Sequence, residues 1–177
     1  MNIEELFLTR QSTREYKDRE VSDEILEKIC KLACLAPSAI NAQPWKLYAI
    51  SGEKGKEFTK FIQVNGTNPW ADSVCSYVVI EQLAPHAVMR GERRVSNEEF
   101  IPIDIGILTA YLTLAAESLG VHSCIVGLRD EKGIAEFLGL PDNTRFPLVI
   151  ALGYAVEGYP IREKRRRDFD KIYTLIK

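Results

Sequence analysis

Apolar residues recur at helical spacing from position 25 onward, at Ile25, Ile29, Leu32, Ala33 and Ala36. Steps of three and four put them on one face of a helix. Ser22 precedes the run as a cap, and Asp23 and Glu24 fill the first turn, where free N–H groups favour negative charge. Val21 and Leu26 are spaced for a hydrophobic staple across that cap, and Pro37 terminates the run. A shorter helix starts after Asn2, with Glu5 at the third helical position as in a capping box. Its apolar side is Ile3, Leu6 and Phe7, and it must end before Arg10. The most apolar stretch, residues 101–119, contains Pro102, Asp104, Gly106, Thr109, Thr113 and Glu117. A lipid-spanning helix tolerates such charges poorly, so the stretch predicts a central helix buried on most of its surface. Gly120 supplies a left-handed stop. Asp130 caps a further helix that closes at Gly139.

Strands are predicted at residues 45–50, 76–81 (SYVVIE), 123–126 and 147–154 (PLVIALGY). The last is continuously apolar, as a strand buried on both faces requires. A short helix spans about 53–61 and a loop 65–72. Residues 84–100, polar and basic at Arg90, Arg93 and Arg94, predict a short helix or a mobile cover. The chain ends in KIYTLI, residues 171–176, which alternates as a strand does but has no mate nearby in sequence. Helices and strands do not alternate regularly, which favours an α+β fold over a doubly wound sheet. With 177 residues, one domain is expected: a core over 1–156 and a polar C-terminal arm over 157–177.

Composition narrows the function. A net charge of −2 provides no global field for nucleic acid or an acidic membrane, so any cationic site is local. The N-terminus lacks the basic head and apolar run of a signal peptide, which points to the cytoplasm and reduced thiols. Cys30, Cys34, Cys75 and Cys124 form no Cys-x-x-Cys, and His86 and His122 are remote from them in sequence; no metal site is expected.

The candidate chemistry is at the two ends. Arg10, Ser12 and Arg14 alternate, so in an extended segment they line one face at roughly 7 Å intervals. Arginine forks and a serine hydroxyl suit a phosphate, although a solvated basic loop has the same composition. A second basic cluster, Lys164 to Arg167, lies near the C-terminus, and the segment APSAINAQPW follows the second helix. By itself that segment reads as a turn after a helix end.

Five motifs occur in order: RQSTREY, APSAINAQPW, SLGVHSCIVGL, LGLPDNTRFPLVIALGY and the basic C-terminus. This succession resembles the nitroreductase family of FMN-dependent oxidoreductases, in its short single-domain form, over nearly the whole chain. The resemblance implies an α+β sandwich with a mostly antiparallel sheet flanked by helices. It also implies an intertwined homodimer with FMN at the interface, and a C-terminal strand exchanged between subunits that would give KIYTLI its mate. Arg10, Gln11 and Ser12 then match the phosphate and ribityl site, and Arg14 the cation at the flavin pyrimidine edge. Pro37, Ser38, Ala39 and Asn41, with Gln43, match the segment laid on the ring by the partner chain. Ile125, Val126 and Gly127 match the main-chain turn near flavin N5; some members carry an acidic residue where Val126 stands. Lys164 and Arg166 match a Lys-x-Arg pair closing on the phosphate, and a slip of one residue substitutes Arg165 and Arg167. Either Asn65 or Asn68 is placed to reach the pyrimidine ring.

The implied activity is ping-pong hydride transfer from NADH or NADPH, through FMN, to a small acceptor such as a nitroaromatic or quinone. No side-chain catalyst is required, since the cofactor carries the chemistry. Alternatives within the fold are dehalogenation, flavin fragmentation, dehydrogenation of a peptide, or non-catalytic flavin binding. Four successive basic residues also suit nucleic acid, but no aromatic platform interleaves with them and the net charge is negative. Partners are therefore expected to be a second copy and small molecules, with neither nucleic acid nor membrane.

Overall fold

The sheet is buried on both faces, and its strands show it by alternation. In a computed structural model describing residues 2–177, apart from the side chain of Arg90, four antiparallel strands lie in the order β1-β2-β6-β5. These are β1 (Trp45–Ile50), β2 (Ser76–Gln82), β5 (His122–Val126) and β6 (Arg145–Gly153). Val78, Ile80, Ile150 and Leu152 face one helix layer, made of α2 (Asp23–Ala33) and α4 (Ile101–Ser118). Tyr77, Val79, Val149 and Ala151 face the other, with α3 (Gly52–Phe58) and α5 (Glu131–Leu138). Neighbours in a strand point to opposite faces, so two cores require the unbroken apolar runs 77–80 in β2 and 146–152 in β6. On one side α3 approaches β2 so closely that a Cβ on Gly55 would lie 1.9 Å from the Cys75 carbonyl oxygen.

Helix ends follow their local signals. Asn2 and Glu5 form a complete capping box on α1 (Ile3–Thr9), at 2.9 and 2.8 Å. Asp130 accepts from the Gly133 amide at 3.0 Å, and Gly139 closes α5 with φ of 66°. Val21 and Leu26 are both buried in the α2–α4 core, although the Ser22 side chain caps nothing.

By length and composition α4 is apolar enough to cross a bilayer. Ten of its residues are buried in the fold, Asp104, Thr109, Thr113 and Glu117 among them, and it packs against α1, α2 and β5. It is the central core helix.

Two segments differ from the sequence expectations, and a third, the C-terminal KIYTLI, is expected to pair only with a second subunit. Residues 84–100 are neither helix nor irregular cover: β3 (Ala87–Arg90) and β4 (Arg93–Ser96) form a hairpin. Its tip is Gly91, with φ of 62°, and Glu92, a two-residue turn that only a residue tolerant of positive φ allows. The fully buried Asn97 clamps the hairpin base, donating its N–H to the His86 carbonyl at 3.1 Å and accepting the His86 N–H on Oδ1 at 2.6 Å. The helix expected at 53–61 becomes α3 followed by a 3-10 turn, Thr59–Phe61. KIYTLI forms no strand within its own chain; a 3-10 turn at Phe169–Lys171 precedes an exposed end. A strand needs a mate for its backbone groups, and this protomer offers none there.

Candidate functional site

The basic N-terminal segment is held at the edge of the sheet. After α1 the chain runs alongside β5: Ser12 bridges Ser123 in parallel, and the Thr13 N–H donates to the Ser123 carbonyl at 2.9 Å. Further on, Tyr16 bridges Ala155 and the Lys17 N–H reaches the Tyr154 carbonyl at 2.8 Å. The strip Arg10–Ser12–Arg14 is thereby extended as its alternation requires, and it lies next to the turn that leaves β5.

The C-terminal arm then folds back onto that strip. Gln11, only 9% exposed, donates from Nε2 to the Pro160 carbonyl at 2.9 Å. Its Oε1 accepts the Arg162 N–H at 2.9 Å and the Arg162 Nε–H at 3.3 Å. Arg162 also donates to the Ser12 carbonyl, and the Arg14 N–H donates to the Tyr159 hydroxyl at 3.1 Å. Lys164 Nζ donates to the Arg10 carbonyl at 2.7 Å. Arg10, Gln11, Ser12, Arg162, Lys164 and Arg166 line a cavity of about 220 Å³ here, with Glu163 the acidic member of the wall.

Its electrostatics are one-sided. Among the described residues, none of Arg10, Arg162, Lys164 and Arg166 forms an ion pair. Partial burial, then the charges of Arg10 and Arg166, hold the Lys164 ammonium below the ordinary lysine value, against the opposing pull of Glu117. Burial raises the Cys124 thiol, although Arg14, Arg162 and Arg10 and a hydrogen bond from Ser12 all act to lower it.

Next to it is the β5 turn. Ile125 is 38% exposed, Val126 is buried, and Gly127 is exposed with its carbonyl held by Arg129. A Cβ on Gly127 would meet nothing within 4 Å, so the space over this turn is open.

Residues 37–43 sit elsewhere. Ile40, Asn41 and Gln43 have φ of 49°, 55° and 47°, a left-handed path costly for a β-branched residue such as Ile40. The path is pinned twice: Ser38 Oγ accepts the Gln43 N–H at 2.9 Å, and Asp104 Oδ1 accepts the Ala39 N–H at 3.0 Å. Asp104 Oδ2 is buried without a partner among the described residues. Pro37 and Asn41 are exposed, and Ser38 and Ala39 half-buried. Asp104 lies in the first turn of α4, whereas Glu117, whose charge acts on Lys164, lies in the last. Thirteen residues of helix separate these two ends by about 20 Å.

One chain thus brings together Arg10, Gln11, Ser12, Lys164 and Arg166 around a cavity beside Arg14 and the 125–127 turn, and leaves Pro37, Ser38, Ala39 and Asn41 at the far end of α4. Of the two possible registers of the basic cluster, Lys164 and Arg166 line the cavity and Arg165 and Arg167 do not. Asn68 spends its side-chain amide on the Ile62 carbonyl at 2.8 Å, and Asn65 adopts a left-handed turn. Two contributors escape sequence reasoning. Arg162 precedes the basic run and carries no motif. Asp104 is visible only as a charge inside an apolar helix, a signal that marks burial but names no partner.

Comparison with known proteins places the chain in a family. A family profile of the nitroreductases matches residues 8–154. A relative in Archaeoglobus fulgidus, whose assigned name pairs NADH dehydrogenase with NAD(P)H nitroreductase, is 33% identical over 162 residues, covering 84% of this chain and 83% of its own. An NADH dehydrogenase of Thermus thermophilus is 28% identical over 179 residues, covering 86% and 87%. The crystal structure of an oxidoreductase containing FMN superposes with a TM-score of 0.74 at 25% identity, covering 89% of this chain and 79% of that one. By the span of that profile and the identity to the archaeal relative, the chain belongs to the nitroreductase family.

Proposed function

We propose that the protein is a cytoplasmic, homodimeric, FMN-dependent NAD(P)H oxidoreductase that reduces small acceptors such as nitroaromatics and quinones. The observation that carries this is the cavity where both chain ends meet. Four cations, a hydroxyl and an open glycine turn are the donor set and the space that a flavin phosphate and ring need. Arg10, Ser12, Lys164 and Arg166 hold the phosphate. Arg14 sets a fixed positive charge beside the ring, where it favours the anion left by reduction. The turn at Ile125, Val126 and Gly127 offers main chain to the ring without a side chain in the way. FMN bound there supplies hydride transfer between nicotinamide and acceptor, and the chain's own groups bind, orient and set access.

The homodimer follows from the two ends of α4. Two-fold packing of α4 against its copy sets the Asp104 end of one helix beside the Glu117 end of the other. The partner's Pro37, Ser38, Ala39 and Asn41 then cover the ring. Ile3, Phe7, Leu8, Leu32, Leu35, Ile103 and Tyr111 are exposed on α1, α2, the segment just after α2 and α4. That apolar surface is what such packing buries. The strand exchange has a matching acceptor. Residues 12 and 13 occupy the outer edge of β5, but β1 is an open edge, flanked by a groove of about 590 Å³ lined partly by Cys30, Trp45 and Leu47. The partner's KIYTLI fits along it, covering an edge that natural sheets protect.

Purified protein should be yellow, release FMN on denaturation, and oxidise NADH or NADPH when offered a quinone or nitroaromatic. Bound FMN that passes electrons to neither acceptor class would overturn the reductase assignment.

A further inference from the structure

Gln11 is placed among phosphate ligands by its position, yet both ends of its amide are turned onto the arm's backbone. Nε2 takes the Pro160 carbonyl and Oε1 the Arg162 N–H, as a neighbouring strand would. This neutral clasp brings up a segment that then adds three cations, Arg162, Lys164 and Arg166, to a wall already holding Arg10. Like charges gathered in a partly buried cavity repel, and against four cations stand only Glu163 in the wall, the charge of Glu117 acting on Lys164, two backbone carbonyls and the Gln11 amide. A bound dianion reverses the balance, since each cation then gains a charge-assisted partner.

We propose that residues 159–167 form a latch that closes on the phosphate of the cofactor, with Gln11 as the positioning residue that sets its register. Cofactor loading and arm placement are then one linked equilibrium: the factor by which phosphate favours the docked arm equals the factor by which the docked arm tightens phosphate. The arm continues into KIYTLI, so loading also orients the segment that reaches the second subunit. The inference deepens the assignment of this cavity to FMN, but its test does not depend on turnover.

Lys164, Arg165, Arg166 and Arg167 are consecutive trypsin sites, so the latch reports its own state. Limited digestion, with fragments identified by mass, is run with FMN, with riboflavin, which lacks the phosphate, and with inorganic phosphate. FMN should slow cleavage at 164–167 at least tenfold and millimolar phosphate several-fold, while riboflavin should leave it unchanged. Gln11→Met keeps about the same side-chain volume and removes all three hydrogen bonds. It should speed cleavage at these sites in ligand-free protein about tenfold and weaken FMN at least fivefold, with cleavage elsewhere unaltered. Equal cleavage with and without saturating FMN overturns the latch, as does protection by riboflavin equal to that by FMN, or a Gln11→Met chain identical to the parent. Protection by phosphate in a protein that binds no flavin supports the latch while overturning the FMN assignment.

Discussion

At the C-terminal end of α4, the charge of Glu117 acts on Lys164, which hydrogen-bonds the Arg10 carbonyl, and the cavity is lined from both ends of the sequence. At the N-terminal end, Asp104 holds a strained loop whose small and polar residues stand exposed or half-buried. At the second end a polar residue of the helix fixes the neighbouring irregular segment, whereas at the first the arm is held by the N-terminal strip. They differ also in what surrounds them. The first end is furnished with donors for an anion and lies near an apolar groove lined partly by Ile3, Phe7, Leu114 and Ala115. The second carries exposed Phe100 and Ile103 next to the acidic Glu98, Glu99 and Asp104. The first end presents donors for an anion, whereas the second presents a pinned loop that is exposed or half-buried. In the proposed homodimer, antiparallel contact of two copies would bring the two ends together.

That contrast can be broken most severely from outside either end. Truncation after Asp168 removes Phe169, Ile172, Tyr173, Leu175 and Ile176, all exposed in the single chain. Each is worth about 1.5–3 kcal/mol when fully buried. The dimer should weaken at least a hundredfold by analytical ultracentrifugation, while Lys164 and Arg166 remain on the cavity. A truncated chain as tightly dimeric as the parent refutes the exchanged strand.

Arg10→Ala strikes the anionic end. Loss of one charge-assisted contact costs about 1.5–3 kcal/mol, so FMN should bind some 10- to 150-fold more weakly by fluorescence titration. Riboflavin affinity should hardly move. If both flavins weaken alike, the guanidinium serves the ring or the fold instead of the phosphate.

Asp104→Ala strikes the other end. It frees the Ala39 amide and removes a buried carboxylate, a loss of about 1–3 kcal/mol in urea unfolding. Steady-state turnover should drop about tenfold as residues 38–43 relax, with FMN affinity within about threefold of the parent. A larger loss of FMN than of turnover would show that the two ends are not separable in this way.

The gentlest probe is pH. Lys164 titrates below the ordinary lysine value of 10.5 because burial and then Arg10 and Arg166 disfavour its charge. The folded chain therefore holds fewer protons than the unfolded one between the lowered and the ordinary value. Arm docking by itself gains stability as pH rises through that window. FMN affinity has the opposite sign: its phosphate needs the ammonium, so affinity falls severalfold as pH rises through the lowered value. Lys164→Met should abolish this alkaline decline. If it persists in the variant, another group causes it.

Much of the fold was legible along the chain, for reasons that are local. The capping box at Asn2 and Glu5, the Val21–Leu26 staple and the glycine stop at Gly139 act within one or two helical turns. Strand β1 begins and ends where its apolar residues meet Pro44 and Ser51. The hairpin β3–β4 was less visible. Its signal, Gly91-Glu92 between Val88 and Val95, is short, and three arginines make the segment look like solvated loop. The strip Arg10–Ser12–Arg14 was legible as a pattern, but nothing in its spacing distinguished a phosphate site from a polar edge.

The sequence by itself determined which segments become helix and strand, where they stop, and that two basic clusters exist, because periodicity and capping depend on near neighbours. Only the tertiary structure decided that the clusters share one cavity, that Lys164 and Arg166 rather than Arg165 and Arg167 line it, and that Gln11 turns to the arm. Those outcomes rest on hydrogen bonds between residues about 150 positions apart, such as Gln11 with Pro160 and Arg162. An aperiodic polar arm carries no repeat from which its facing side can be read. Its register is set by whichever distant carbonyls and amides the folded sheet edge presents.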